Sequence, residues 1–526
     1  MKPNVLKLPI GGLQRGRGFF GGFSFIPPRT PQESLKNEKI NNRGEGAMRM
    51  KSAKNFKWLI LLTALFFIVP GTALGGQTIS VTDLGTLGGN NSYALGINSL
   101  GHIVGRSLDP SSMTHAFFWS PEGGIKNLGT LGGFSSEAVS VNTSGQVVGG
   151  SDTEDGSQHA FLWSAQGGMK DIGTLGGGYS HAQLINDLGH VAGTSADASG
   201  SDRLFFWTNE KGMVDIGSFG GDFSEIAGMN NQGQITGSSL NKSWASRAFL
   251  WTPNGSMKDL GSLGGESSSS NGLAVNDHGQ VAGSSGTVSG ETHAFFWTPE
   301  AQKMMDLGTL GGDFSEATAV NNLGQVVGRC NTASYTCQAF FWTLQGGMVD
   351  LGTLGGSYSE ALAINDRGQV VGRSTTASGD WNAFLWTAKG GMVDLGTLGG
   401  NYGLAHAINN RGDIIGDSKN AQRATHATLW SVPPLTPEDQ VKELIDDVAG
   451  LIRTKALKKE FGKILIFELE IALKKIQRDK MRRACHSLDA FTHQVKMLVR
   501  IHRLSSQNGQ ALVDQADEVS ACHPGT

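Results

Sequence analysis

The chain is 526 residues long, with 76 glycines, 17% charged residues, and 43 Lys and Arg against 46 Asp and Glu. Length alone suggests three or so domains, but glycine at this level, with helical patterning confined to the last 90 residues, excludes a uniformly helical protein. The first 75 residues hold 12 basic and 3 acidic side chains, those from 438 onward 15 and 13, and the stretch between 16 and 30, so no basic nucleic-acid footprint is present.

From Met48 the chain reads MRMKSAKNFK, then WLILLTALFFIV, then PGTALGGQ. A basic start, a 12-residue apolar run and a small-residue exit predict a signal peptide over 48–75, cleaved between Ala73 and Gly76. Twelve residues are too few to span a bilayer comfortably, so no integral span is expected after cleavage. Residues 1–47 show neither hydrophobic period nor charge logic and are read as a mis-set start or a disordered leader. The expected location is extracellular or at the cell envelope.

An internal repeat fills residues 76–431. The heptapeptide DLGTLGG or a variant begins at 83, 127, 171, 215, 259, 306, 350 and 394, a period of 44 with one step of 47, and a Trp closes each copy. In the copy at 350–393, EALAIN and QVVGRS are β-rich runs joined by NDRG, where Asn suits the first turn position and Gly the last. NAFLW, apolar on both faces, is a third strand, and MVDLGTL a fourth, with its Thr and Leu finishing the strand and the two glycines supplying positive φ. Four antiparallel strands in about 44 residues is the size of a propeller blade.

The ends of the array point the same way. Residues 78–87 supply a fourth strand without the first three, and 403–430 supply three strands without a fourth. The expected fold is therefore an all-β propeller of eight four-stranded blades closed by the N-terminal strand, favoured over a linear β-solenoid because no distinct capping repeats are visible. The Trp of each copy is expected to pack between blades.

The triplet His-Ala-Phe at 115–117, 159–161 and 293–295, with GTLGG and Asn-x-x-Gly, resembles the HAF-repeat family of secreted bacterial proteins. That resemblance covers about two thirds of the chain and implies an exported repeat protein without a defined activity. Arg, Gln and Asn replace the His in other copies, so it reads as a polar strand-start residue rather than a metal ligand.

The loop after the heptapeptide carries Tyr93, Phe134, Tyr179, Phe223, Phe314, Tyr358 and Tyr402, with Glu225, Glu316 and Glu360 following three of them. Two readings stand. The rings wedge between blades, or Tyr93, Tyr179, Phe223, Glu225, Phe314, Glu316, Tyr358, Glu360 and Tyr402 form a ligand-binding rim of aromatic faces and carboxylates. No nucleophile elbow, zinc motif or phosphate loop occurs, so no catalytic residue, metal or cofactor is expected. Cys330 and Cys337, in one inter-strand loop, are candidates for a disulfide, as are Cys485 and Cys522.

After a linker at 432–437, Thr436, Pro437 and Asp439 form a helix start. Residues 438–521 read as a helical domain with an internal duplication, and RRACHSLDAFTHQVKMLV with GQALVDQADEV resembles the FIMAH module of exported bacterial proteins. The stretch ALKKEFGKILIFELE is more apolar than that resemblance implies. The functional expectation is a monomeric, non-enzymatic binding or scaffold protein for an extracellular glycan or protein. A polysaccharide-active enzyme with its site at the channel mouth is the alternative, and a structural extracellular protein the third. Loss of equivalence at one or two copies would favour the enzyme, because catalysis needs a unique acid or base, but the departures are mainly Ser-rich (ESSSSNG) or Cys-linked loops, which favours binding.

Overall fold

Glycine, alternating apolar residues and Asn-x-x-Gly turns build the same four strands in every copy. The computed structural model describes residues 73–74, 77–264, 269–432, 436–453, 455–517 and 519. The leader 1–47 lies outside these residues, as does the signal segment 48–75 except for 73–74. In the seventh copy Gly355–Ile364 pairs antiparallel with Val370–Thr376, that strand with Trp381–Thr387, and that one with Gly391–Asp394. Gly399–Ile408, Asp413–Asn420 and Thr425–Ser431 follow the same order, and the fourth strand beside Thr425–Ser431 is Ser80–Asp83, with Ser80 opposite Ser431. The architecture is a β-propeller followed by a small helical region.

Two contacts recur at the seams between copies. The third strand of one copy touches the first strand of the next in parallel, as at Gln158 with Tyr179, Thr292 with Phe314 and Trp381 with Tyr402. Behind that line a third-strand Phe meets the Trp of the following copy, at 4.9 Å between centroids for Phe206 and Trp251 and 5.5 Å for Phe296 and Trp342. The Trp residues thus pack between copies, and Phe161, Phe205 and Phe340 are fully buried. Apolar burial on both faces of the sheets supplies most of the stability.

The heptapeptide differs from its expected role. The fourth strand ends at the Asp, as at Asp350, and Thr and Leu belong to the connector. The Asp carboxylate accepts the N–H of the glycine two residues on, 2.8 Å for Asp350 and Gly352, and that glycine has φ +74°. Of the terminal pair only Gly355 has a positive φ, +102°. Gly356 is required by contact instead, since a Cβ there would stand 2.7 Å from the Thr375 carbonyl oxygen.

The Cys330–Cys337 disulfide is not formed. Both are free thiols, and the register shows why: Cys330 lies opposite Gln338 and Asn331 opposite Cys337, which puts the two cysteines on opposite faces of the hairpin. Cys330 takes the place of a serine that recurs in the other copies, its sulfur accepting the Leu310 N–H at 2.9 Å as Ser374 Oγ accepts that of Leu354. Cys485 is disulfide-bonded, while Cys522 lies outside the described residues.

Four helices follow: α1 (Pro437–Arg453), α2 (Lys459–Ile476), α3 (Met481–Arg500) and α4 (Ser506–Asp517). The predicted start is realised, with Thr436 Oγ1 accepting the Asp439 N–H at 3.2 Å and donating to Asp439 Oδ2 at 2.7 Å. Val441, Leu465, Leu469, Phe491, Val495 and Leu512 form their core. No described helix is long and apolar enough to cross a membrane.

Candidate functional site

The turn asparagines do more than start turns. Asn365 Oδ1 accepts the N–H groups of Arg367 and Gln369, while its Nδ2 donates to Gln369 Oε1 at 2.7 Å and to the Asn409 carbonyl of the next copy at 3.0 Å. The inter-copy bond recurs from Asn98 to Asn142, Asn142 to Asn186, and onward through Asn230, Asn276, Asn321 and Asn365 to Asn409. Asn409 Nδ2 then donates to the Asn98 carbonyl at 3.1 Å. Six of these turns line a cavity of about 360 Å³, with apolar residues that include Val320, Ile364 and Ile408. The sequence reading missed this role, although the repetition of Asn where Asp or Ser would equally start a turn was the signal for it.

The aromatic positions do not form one rim. Phe223 and Glu225 are exposed, as is Phe134 at 73%, so neither phenylalanine wedges between copies. Tyr179 is half-buried, and burial raises its phenol pKa. Tyr93 lies under Arg106, whose guanidinium is 5.0 Å from the ring centroid and reaches Glu137 of the next copy at 3.1 Å.

Five of the nine predicted positions come together across the sixth to eighth copies. Glu316 lies opposite Arg329 in the sixth and Glu360 opposite Arg373 in the seventh. Arg329 binds Glu316 Oε2 through Nη2 at 2.7 Å and Nε at 3.0 Å, and its Nη1 lies 3.8 Å from Glu360 Oε2 across the seam. Arg373 Nε donates to Glu360 Oε1 at 2.7 Å, and the Tyr358 hydroxyl donates to Glu360 Oε2 at 2.7 Å. The guanidiniums lie over aromatic rings, Arg329 5.5 Å from the Phe314 centroid and Arg373 4.6 Å from that of Trp381, and Tyr402 lies opposite Trp381 across the next seam. Trp381 meets Tyr358 edge-on at 4.9 Å.

Two groups of the cluster are shifted from their ordinary values. Burial, then the Glu360 carboxylate, push the Tyr358 phenol far above its ordinary value, so it stays a donor. Burial works against the Arg329 charge, but the Glu316 carboxylate outweighs it. Glu360 is the most enclosed of the four charged side chains at 9% exposed, against 21% for Glu316, 25% for Arg373 and 28% for Arg329. Neither nearby thiol is set up as a nucleophile, since burial raises Cys337 and pushes Cys330 up to about 11. Arg329, Arg373 and Trp381 were not singled out from the sequence. The signal was Arg at one second-strand position in three copies, where the others carry Gly, Thr, Ser or Asp.

The His of the triplet has a structural partner. Nδ1 of His159, His293 and His426 lies 2.7 to 2.9 Å from the heptapeptide acids Asp171, Asp306 and Asp83, and Asn382 Nδ2 donates to Asp394 at 2.8 Å in the same way. His and Asn at this position thus share a bond to the heptapeptide acid. No grouping of three metal-ligating side chains occurs among the described residues.

No protein-family model matches the chain, and no curated protein matches it. Among solved structures it is similar to a prolyl endopeptidase (12% identity, TM-score 0.43, 66% of this chain and 55% of that one) and to Porphyromonas gingivalis dipeptidyl peptidase 4 (10%, 0.43, 65% and 57%). It is also similar to the β-propeller domain of the Trilobed protease from Pyrococcus furiosus (10%, 0.39, 58% and 98%). The chain thus spans little more than half the length of the two whole peptidases. These likenesses concern the fold alone. Several of the similar structures are peptidases, which corrects the leading expectation of a non-enzymatic binding or scaffold module.

Proposed function

We propose that the chain is an exported, peptidase-type β-propeller protein that acts on peptides, with the peptide's C-terminal carboxylate received by Arg329 and Arg373. The observation that carries this reading is the break in equivalence at the sixth to eighth copies, where two acid–guanidinium pairs are coupled across a seam and backed by Phe314 and Trp381. Guanidiniums over aromatic rings and partly exposed suit a carboxylate, which they can bind through paired N–H donors.

Several finer features belong to the same proposal. The repeats form eight blades in a closed ring, supported by the pairing of Ser80–Asp83 with Thr425–Ser431 and by the hydrogen bond from Asn409 to Asn98. The repeats are of HAF type and the helices of FIMAH type, supported by the motifs quoted above. Export rests on the pattern at 48–75.

The test is incubation of the mature protein with a peptide pool carrying free C-termini and with the same pool amidated, read by mass spectrometry. Cleavage products from the free pool and few from the amidated pool are expected. An unchanged free pool refutes the reading.

A further inference from the structure

Helix α2 carries apolar residues on two sides. Gly462, Leu465, Leu469 and Ala472 face the core of the helical region. On the other side Ile464 and Phe467 are 53% and 60% exposed, with Ile471 half-buried. Together with Glu460 and Lys474 these residues run at 460, 464, 467, 471 and 474, alternating steps of four and three. That is the spacing of a seam along which two helices pack side by side.

The ends of the seam say which helix covers it. Glu460 stands seven residues before Phe467 and Lys474 seven after it, both exposed, and neither forms an ion pair among the described residues. A second α2 laid antiparallel, with Phe467 against Phe467, brings Ile464 against Ile471 and each Glu460 against the partner's lysine at the opposite end. A parallel pairing would set Glu460 against Glu460 and Lys474 against Lys474. We infer that α2 is a homodimerisation surface, and that two copies of this chain associate through an antiparallel pairing of the 460–474 face.

This departs from the expected monomer and explains why ALKKEFGKILIFELE is more apolar than a helix with a single buried face requires. The seam is short compared with interfaces of 1,200 to 2,000 Å² typical of stable complexes, so the dimer is expected to be concentration-dependent.

Sedimentation velocity of the mature full-length protein between about 1 and 200 μM tests this, with far-UV circular dichroism as the fold control. A monomer–dimer equilibrium is expected, abolished by Phe467→Glu. Glu460→Lys alone and Lys474→Glu alone should each weaken association on the order of tenfold, two like-charge contacts replacing two attractive ones. The double swap should restore it, which a merely destabilising effect of either change would not. A monomer throughout the range, association insensitive to Phe467→Glu, or a double swap no better than either single change would overturn the inference. So would vesicle binding by a protein that stays monomeric.

Discussion

Replacing Asn365 by Ala removes a side chain that uses its whole hydrogen-bonding capacity. Two backbone N–H groups lose their acceptor, Gln369 Oε1 and the Asn409 carbonyl lose their donor, and the site is 4% exposed. Each bond contributes about 1 kcal/mol net, and a buried group left unpaired costs about 1 to 3 kcal/mol. Water in the channel and rotation of the Gln369 amide recover part of this, so a loss of about 3 kcal/mol is expected. Asn365→Asp separates the two halves of the argument, since it keeps the acceptor for Arg367 and Gln369 but turns an oxygen toward the Asn409 carbonyl. Protonation of the introduced carboxyl restores a donor, so its folded-state pKa is raised and its deficit shrinks as pH falls. Guanidinium unfolding, with the exposed turn variant Asn254→Ala as control, measures both. A cost for Asn365→Ala no larger than that of the control, or a deficit for Asn365→Asp independent of pH, would refute the role assigned to the asparagine ring.

Three further outcomes follow from single residues. His181, in the register position held by Glu316 and Glu360 in their copies, is brought down to about 4 from its ordinary 6.5 by burial. Its contribution is complete above pH 6.5 and is lost as pH falls toward 4, by about 2 to 3 kcal/mol at pH 4.5; stability measured at pH 7 and 4.5 should show this loss, and His181→Gln should reduce it. Gly328→Ala would place a Cβ 1.9 Å from the Glu316 carbonyl oxygen and should cost at least about 3 kcal/mol. By contrast Gly173→Ala, at φ +81° with open space around it, should cost about 1 to 2 kcal/mol, both glycine variants being measured by guanidinium unfolding.

The strand plan was legible because it is local. Asn365 and Gly368 mark a turn wherever they occur, alternation within EALAIN sets a strand face, and a lone strand at 78–87 beside an incomplete copy at 403–430 names its own partner. What crosses a seam was not legible. Arg329 is one of many surface-type residues until the fold brings Glu316 of its own copy and Glu360 of the next around it. Cys330 and Cys337 sit close in sequence, yet a register parity that depends on turn length sends them to opposite faces. The aromatic positions are equivalent in sequence, but Phe223 lacks the arginine found opposite Glu316, so one rim became an exposed ring at one place and a charged cluster at another.

The claim that Arg329 and Arg373 receive a peptide carboxylate is tested most directly by titrating a single short peptide, with a free or an amidated C-terminus, into the wild type, Arg373→Gln and Glu225→Gln. Charge-assisted hydrogen bonds of about 1.5 to 3 kcal/mol predict that amidation weakens wild-type binding about 10- to 100-fold. Arg373→Gln should lose most of that discrimination, and the remote Glu225→Gln should keep it. Equal affinity for both peptides in the wild type, or undiminished discrimination in Arg373→Gln, would contradict the account.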